Sequence, residues 1–238
     1  MSDPLSWLLE LEGVPSAFAA VRDGIDVLLR DRGLRATSPE TTAASLLLGA
    51  HASAVLEGSQ SQLEEVRDGG GDPLALDSVR LSTALLGVSP LLTRAPLQAL
   101  ARLHALAAVG AVPDDELGRP VSPEAAARLR ALAGVLTAPT GAPALVVAAV
   151  VHAELATLAP FASHNGLVAR AAERLVLVNR GLDAKSLTVP EAGHLALRPQ
   201  YESNLRGYRE GGPSGVHAWM LYAAEAFAAG AEASPVRR

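Results

Sequence analysis

The sequence predicts an all-α domain of about eight helices. Apolar residues make up 49% of the chain and aromatic residues only 3%, so Ala, Leu and Val must fill the core, and these residues suit close helix packing. Most segments repeat apolar residues at three- and four-residue spacing. No run alternates apolar and polar residues over the length of a strand. The segment Leu187-Thr188-Val189 has strand-forming residues but is too short for a sheet.

The N-terminal quarter of the chain predicts two long helices. An apolar stripe favours the first over residues 15–32, which we expect to end at Gly33. The second begins at Ser38-Pro39, where the hydroxyl can accept backbone hydrogen bonds and proline suits the first helical turn. It should end near Glu57.

The rest of the chain predicts further helices separated by glycine- and proline-containing loops. The expected helices cover residues 74–86, 95–109, 123–136, 142–157, 167–179, 199–209 and 216–229. Residues 68–73 combine three glycines with acids and a proline, which indicates a loop within one domain. We expect a helical extension over residues 1–37, a main domain over 38–230 and a flexible tail over 231–238.

The composition of the chain limits the partners that we expect it to bind and the cellular location that we expect for it. The formal net charge is −5 and no stretch concentrates basic residues, so we expect no nucleic acid partner. The absence of cysteine excludes disulfides and thiolate metal sites and fits a reducing compartment. The N-terminus lacks a signal pattern, and His152 and Glu154 interrupt the most apolar stretch, residues 142–161. We therefore expect a cytoplasmic protein that does not enter a membrane.

Residues 158–170 carry the most specific pattern, Leu-Ala-Pro-Phe-Ala-Ser-His-Asn-Gly-Leu-Val-Ala-Arg, between two apolar helices. This segment resembles the Fic motif, His-Pro-Phe-x-(Asp/Glu)-Gly-Asn-Gly-Arg-x-x-Arg. The residues that match without a gap are Pro160, Phe161, Asn165, Gly166 and Arg170. The resemblance extends over about residues 39–229 and implies a Fic/Fido-type helical domain.

The resemblance implies a nucleotide site in which some binding groups remain. In that family the loop and the next helix N-terminus hold nucleotide phosphates, which backbone N–H groups and the helix dipole favour. Asn165 and Gly166 would keep this loop geometry, and Arg170 could contact a phosphate. ATP or another nucleotide is the ligand that these three residues would bind.

The same resemblance implies that the catalytic groups are lost. Ala159 stands where the family has its general base, and the loss of a general base alone costs about two to four powers of ten in rate. Ser163 replaces the acid that binds magnesium, so strong magnesium binding is not expected. Leu167 replaces the first arginine, and His164 replaces a glycine. The sequence thus predicts no catalytic residue for AMP transfer (AMPylation) and no metal ligand.

A second pattern, Ser53-x-x-x-Glu57-Gly58, resembles the inhibitory motif found on a helix in many Fic proteins. Its glutamate typically pairs with the second arginine of the Fic motif, which here is Arg170. The resemblance therefore implies an inhibitory clamp made by Ser53, Glu57 and Gly58. The residues alone leave two other arrangements open, a solvated Glu57 and a pair between Arg170 and Glu173.

Two histidines allow further interpretations. His152 is expected to be a hydrogen-bonded core histidine, because the only acid or histidine at a metal-ligand spacing is Glu154. Ser163 and His164 suggest a nucleophile and its base, with Asp183 as the group that orients the base. Sequence neighbours rarely face each other correctly, which disfavours this triad.

These observations give one leading hypothesis and two alternatives. The leading one is a degenerate Fic-like protein, a pseudoenzyme for AMP transfer, that binds or regulates a protein partner. The first alternative is an active nucleotide- or phosphate-group transferase with His164 as a displaced base. The second is a purely structural helical module. The sequence does not identify the partner and leaves a homodimer open.

Overall fold

The computed structural model describes residues 3–30 and 38–237 of the chain. Within these residues the regular structure is helical, and β-type pairing is limited to one isolated bridge between Val109 and Val112. The all-α prediction is therefore confirmed. The helices are α1 (Val14–Leu28), α2 (Pro39–Glu57), α3 (Leu63–Arg67), α4 (Pro73–Arg94), α5 (Pro96–Ala108), α6 (Pro123–Thr137), α7 (Ala144–Leu158), α8 (Asn165–Asn179), α9 (Pro190–Ala196), α10 (Arg198–Glu210) and α11 (Pro213–Glu232).

The described part of the chain holds more helices than the number predicted. Helices α3 and α9 were not predicted because they have only five and seven residues, too few to show a helical period. Helix α4 continues past the predicted end at residue 86. It runs through Pro90 and buries Leu92 against the core. The predicted helix end at Arg32-Gly33 and the predicted domain boundary at residue 37 lie outside the described residues.

Helix starts largely follow the local sequence. Proline occupies the first turn of α2, α4, α5, α6, α9, α10 and α11, where no backbone donor is needed. The side chains of Asp72 and Ser122 cap α4 and α6 by accepting hydrogen bonds from Ala75 and Ala125. Helix α2 begins at Pro39 as predicted, but the Ser38 side chain makes no such bond.

The core is centred on α7 and α8, which pack against each other and against α4, α5, α10 and α11. Helix α1 belongs to the same core because it lies on α11, where Phe18 and Phe227 have ring centroids 6.4 Å apart. Helix α11 runs to Glu232, and Ser234 beyond it is buried. The division into extension, domain and tail stays a prediction.

Helix α4 is the one described helix whose length and apolar composition would allow it to cross a membrane. The core helix of a soluble protein passes the same test, so this finding is weak evidence for a membrane span. The most apolar segment, α7, has 15 residues, and ten of them are buried inside the protein, as predicted.

Helices α9 and α11 approach most closely at Gly193. A Cβ atom on this residue would lie 2.8 Å from the Gly230 nitrogen and 2.9 Å from the Ala226 carbonyl carbon. Both neighbours are backbone atoms, which cannot move aside as a side chain can. This contact fixes the position of α9 and of the residues that it carries.

We predict that Gly193→Ala lowers the free energy of unfolding by about 3 kcal/mol, the upper end of the range for overpacking. Gly134→Ala is the matched control, because a Cβ at this exposed position in α6 meets nothing within 4 Å. It should raise the free energy of unfolding by about 0.5 kcal/mol through helix propensity. Urea unfolding measures both changes, and equal effects of the two substitutions would contradict the close contact.

Candidate functional site

The segment between α7 and α8 forms a tight loop with two left-handed residues. Ala159 (φ 45°) ends α7 and His164 (φ 55°) precedes α8. The Asn165 amide joins the two ends of the loop, since its Oδ1 accepts from the Phe161 N–H at 2.9 Å and its Nδ2 donates to the Phe161 carbonyl at 2.8 Å. Asn165 thus shapes the loop, while its predicted role in nucleotide binding stays a prediction.

The carboxylate of Glu57 lies directly over Gly166 in the first turn of α8. A Cβ atom on Gly166 would be 2.7 Å from Glu57 Cδ and would collide with Oε1. A helix N-terminus attracts anions through its unpaired N–H groups and its dipole. Glu57, whose side chain is 31% exposed, therefore provides an anion at this helix N-terminus, while the binding of a nucleotide phosphate there stays a prediction.

Arg170 is 1% exposed and has four hydrogen bonds. It donates to Glu57 Oε1 at 2.8 Å, to Ser53 Oγ at 2.7 Å, to the Ser53 carbonyl at 3.1 Å and to the Tyr201 hydroxyl at 3.1 Å. The predicted contact between Glu57 and Arg170 is thus present, whereas Glu173 faces away toward two histidines. The inhibitory role of the contact stays a prediction.

Gly58, which follows Glu57, has a conformational role at the end of α2. It ends α2 in the left-handed conformation with φ 108°, which side chains rarely adopt. The helix therefore stops immediately after Glu57, and the carboxylate projects from its last turn toward α8. Gly58 contributes backbone shape, and no side-chain chemistry is available from it.

The three positions that lack the catalytic groups of the Fic motif differ in their surroundings. Ala159 is exposed and offers no group that could accept a proton. The Ser163 hydroxyl lies 2.7 Å from His164 Nδ1. Leu167 is 1% exposed and belongs to the core, so this position faces the interior of the domain.

His164 has an acidic partner other than Asp183. Its Nε2 lies 3.0 Å from Asp77 Oδ2 on α4, and Asp77 also pairs with Arg80. Asp183, the acid of the disfavoured triad, instead accepts hydrogen bonds from the backbone of Leu187 and Thr188. The structure therefore contains no triad with Asp183, which the sequence already disfavoured, because Asp183 shapes the loop before α9.

A cluster of three ionisable residues lies behind Arg170, in the core. His152 from α7, Glu173 from α8 and His194 from α9 are all 0% exposed. His152 Nδ1 is 3.0 Å from Glu173 Oε1, and His194 Nε2 is 2.9 Å from Glu173 Oε2. His152 is a buried histidine bonded to the Tyr201 hydroxyl at 2.9 Å, as predicted.

No sequence motif marks Glu173 and His194 as members of one site. The three residues lie on three helices, so no fixed spacing in the sequence reveals them, and α9 was not predicted at all. One signal was present, because Arg170, Glu173 and Arg174 are charged residues within an otherwise apolar helix. All three are buried, and buried charges require partners.

The surroundings of this cluster shift its pKa values. Burial lowers the pKa of His152 from 6.5 to about 4, although Glu173 acts in the opposite direction. Burial alone would raise the pKa of Glu173, but the two histidines more than offset this effect and lower it from 4.5 to about 2. Burial therefore favours the uncharged form of His152 around neutral pH.

We predict that acid destabilises the protein through His152. Because its pKa is lower in the folded state, its stabilising contribution is complete above pH 6.5 and is lost as the pH falls toward 4. The loss should reach about 3 kcal/mol. Unfolding in urea at a series of pH values, with EDTA in the buffer, measures it. His152→Phe should flatten the slope between pH 6.5 and 4, and an unchanged slope in this variant would contradict the assignment.

We also predict different stabilities for two variants of the contact between α2 and α8. Arg170→Met should lower the free energy of unfolding by about 3 kcal/mol, because buried groups of Ser53 and Tyr201 lose their donor. Glu57→Gln should cost about 1 kcal/mol or less, since the side chain is partly exposed and Arg170 keeps its other partners. Urea unfolding at pH 7 tests the order, and a larger cost for Glu57→Gln would contradict it.

Comparisons with known proteins bear on the fold. No family model matches the chain, and no curated protein matches its sequence. The solved structures that resemble it include a Fic family protein from Desulfovibrio desulfuricans G20, at 19% identity and a TM-score of 0.72 over 91% of this chain and 73% of that one. Fic-1 from C. elegans matches at 17% identity and a TM-score of 0.68, over 96% of this chain and 72% of that one.

A variant of the same worm protein, with one glutamate replaced by glycine, matches at 17% identity and a TM-score of 0.69, over 94% of this chain and 72% of that one. These likenesses cover 91%, 96% and 94% of this chain. The chain therefore has the fold of Fic family proteins, a Fic/Fido-type helical domain.

Proposed function

We propose that this protein is a Fic-type pseudoenzyme, silent for AMP transfer, that acts by binding and regulating a protein partner. The observation that carries the proposal is the position of Glu57, whose carboxylate covers Gly166 and pairs with Arg170. The contact that would keep a nucleotide out is intact, while Ala159 stands at the position of the base.

Transfer of a nucleotide to a hydroxyl requires a group that accepts the proton of that hydroxyl. The exposed methyl group of Ala159 cannot do so. The Ser163 hydroxyl is a weak ligand for a hard cation such as magnesium, and it already contacts His164. Leu167 offers no hydrogen bond to a transferring phosphate. The chemistry therefore lacks its base, its metal ligand and one of its cationic groups.

Nucleotide binding without transfer remains compatible with the site. Asn165 and Gly166 keep the loop and the helix N-terminus open to an anion once Glu57 moves away, and the Arg170 guanidinium could then meet a phosphate. Its bonds to Ser53 and Tyr201 hold Arg170 in place without Glu57. We propose that ATP or another nucleotide competes with the Glu57 carboxylate, without a strongly bound magnesium ion.

The proposal also covers the partner of the protein, its cellular location and its oligomeric state. A protein partner is the expected target, and neither nucleic acid nor a membrane is expected, because the net charge is −5 and the most apolar helix is buried. We place the protein in the cytoplasm. A homodimer is compatible with this function.

One observation favours a second candidate function, an active transferase with a non-standard site. His164 is held between Asp77 and Ser163, so its ring has the acidic partner that a general base needs. This candidate uses a nucleotide or another phosphorylated donor, with His164 as the base. It requires that a donor raise the Tm saturably and that both His164→Ala and Arg170→Ala abolish the effect.

We predict that neither the wild-type protein nor Glu57→Gly transfers label from radioactive ATP to itself or to added proteins, with magnesium or manganese present. Glu57→Gly removes the carboxylate over Gly166, so a silent result cannot be attributed to inhibition. The same substitution should also increase any stabilisation by ATP, because the phosphate no longer competes with Glu57.

The matched control is a triple variant. It combines Glu57→Gly with Ala159→His and Ser163→Asp, which supply the histidine and the acid of the Fic motif. Ala159 is exposed, so the new histidine should fit. An active Fic enzyme in the same assay shows that transfer is detectable. Label transfer by Glu57→Gly above the background of a heat-denatured sample would refute the proposal that the protein is silent.

A further inference from the structure

The buried cluster of His152, Glu173 and His194 brings two imidazole nitrogens and the two oxygens of one carboxylate close together in the core. Glu173 Oε1 faces His152 Nδ1 at 3.0 Å, and Glu173 Oε2 faces His194 Nε2 at 2.9 Å. The ligand atoms of the three residues all lie within 4.8 Å of one another. Two imidazole nitrogens and a carboxylate are a donor set that zinc and its neighbours in the transition series bind.

Two of these atoms have no well-aligned hydrogen bond. His152 Nδ1 and Glu173 Oε1 are fully buried and lack a hydrogen-bond partner, although they are only 3.0 Å apart. The N–H direction of the ring therefore misses the carboxylate oxygen. Buried polar atoms are nearly always paired, and an ion between them would satisfy both at once.

The far nitrogens of both rings are fixed by tyrosines. His152 Nε2 lies 2.9 Å from the Tyr201 hydroxyl, and His194 Nδ1 lies 2.8 Å from the Tyr222 hydroxyl. Metal-binding histidines usually have such a partner on the other nitrogen, which sets the tautomer and the ring orientation. With their protons on these far nitrogens, both rings present lone pairs to the cluster.

We propose that His152, Glu173 and His194 bind one divalent transition-metal ion of the zinc class. Both carboxylate oxygens and the two ring nitrogens give a closed, four-coordinate site. Donor atoms from separate groups around a tetrahedral zinc are about 3.3 Å apart, whereas the two oxygens of one carboxylate are closer together. The site is therefore a distorted tetrahedron, and binding draws together ligand atoms that now lie within 4.8 Å of one another. The carboxylate offsets one of the two positive charges of the ion.

The burial of the site determines what the ion does. All three residues are 0% exposed, so no position is left for water or substrate, and the ion has a structural role. It joins α7, α8 and α9, and it must enter while the chain folds or opens locally. Through His152 and Tyr201 it also lies next to Arg170, so it would stiffen the contact that holds Glu57 over Gly166.

The test is a metal analysis of the full chain, purified without an affinity tag because histidine tags bind metals. The protein is unfolded with EDTA, refolded with Zn²⁺ and freed of excess metal, and zinc is counted by mass spectrometry. We expect about one zinc ion per chain. Refolding with Co²⁺ should give the visible absorption bands of a four-coordinate site.

Variants distinguish this site from adventitious binding. Glu173→Gln keeps the side-chain shape but removes the charge, and it should reduce the metal content at least tenfold. Tyr222→Phe leaves all ligands in place and should weaken the affinity about 10- to 100-fold. His217→Ala is the matched control, because this histidine lies outside the cluster and its Nε2 lies 2.7 Å from the Glu12 carbonyl oxygen. It should leave the metal content unchanged.

A folded wild-type protein that retains no zinc, cobalt, nickel or manganese after refolding would overturn the proposal. An equal metal content in Glu173→Gln and the wild type would do the same. If Glu173→Gln does not fold, X-ray absorption of the wild-type metal complex decides, since two imidazole ligands support the site and none refutes it. These results do not depend on whether the protein transfers AMP.

Discussion

The buried guanidinium of Arg170 is the interaction on which the site depends. It binds Ser53 and Glu57 on α2 and Tyr201 on α10 from a position one turn into α8. Three elements that are far apart in the sequence are therefore held by one side chain. Because a buried cation requires partners, the place of α2 over the loop is set by this charge. The carboxylate that covers Gly166 follows from it.

A continuous series of polar groups runs from this arginine into the core. Arg170 donates to Tyr201, Tyr201 contacts His152, and Glu173 connects His152 to His194. In a low-dielectric interior such groups must satisfy one another, because water does not reach them. Arg174, one turn beyond Arg170, is buried against Glu191 and Ser45 in a second network of this kind. Helix α8 thus carries charge through the centre of an apolar domain.

The sequence was sufficient to predict the all-α fold and the contact between Glu57 and Arg170. Helical period and proline starts predicted the long helices, and the two short motifs predicted a pair 113 residues apart. The sequence did not reveal α3, α9 or the cluster around Glu173. Five- and seven-residue helices show no period, and the cluster arises only when three helices meet. Asp77 was missed as the partner of His164 for the same reason, since it lies 87 residues earlier.

The positions at which this chain departs from the Fic motif are not equally easy to substitute, and packing explains the difference. Ala159 is exposed, so a histidine there would displace nothing. Leu167 is 1% exposed and packs in the main core, and an arginine at this position would either bury a second charge beside Arg170 or force the first turn of α8 outward. An unpaired buried charge costs several kcal/mol, which is a large fraction of the stability of a domain. The core around Leu167 therefore opposes an arginine at position 167 more strongly than the exposed Ala159 opposes a histidine.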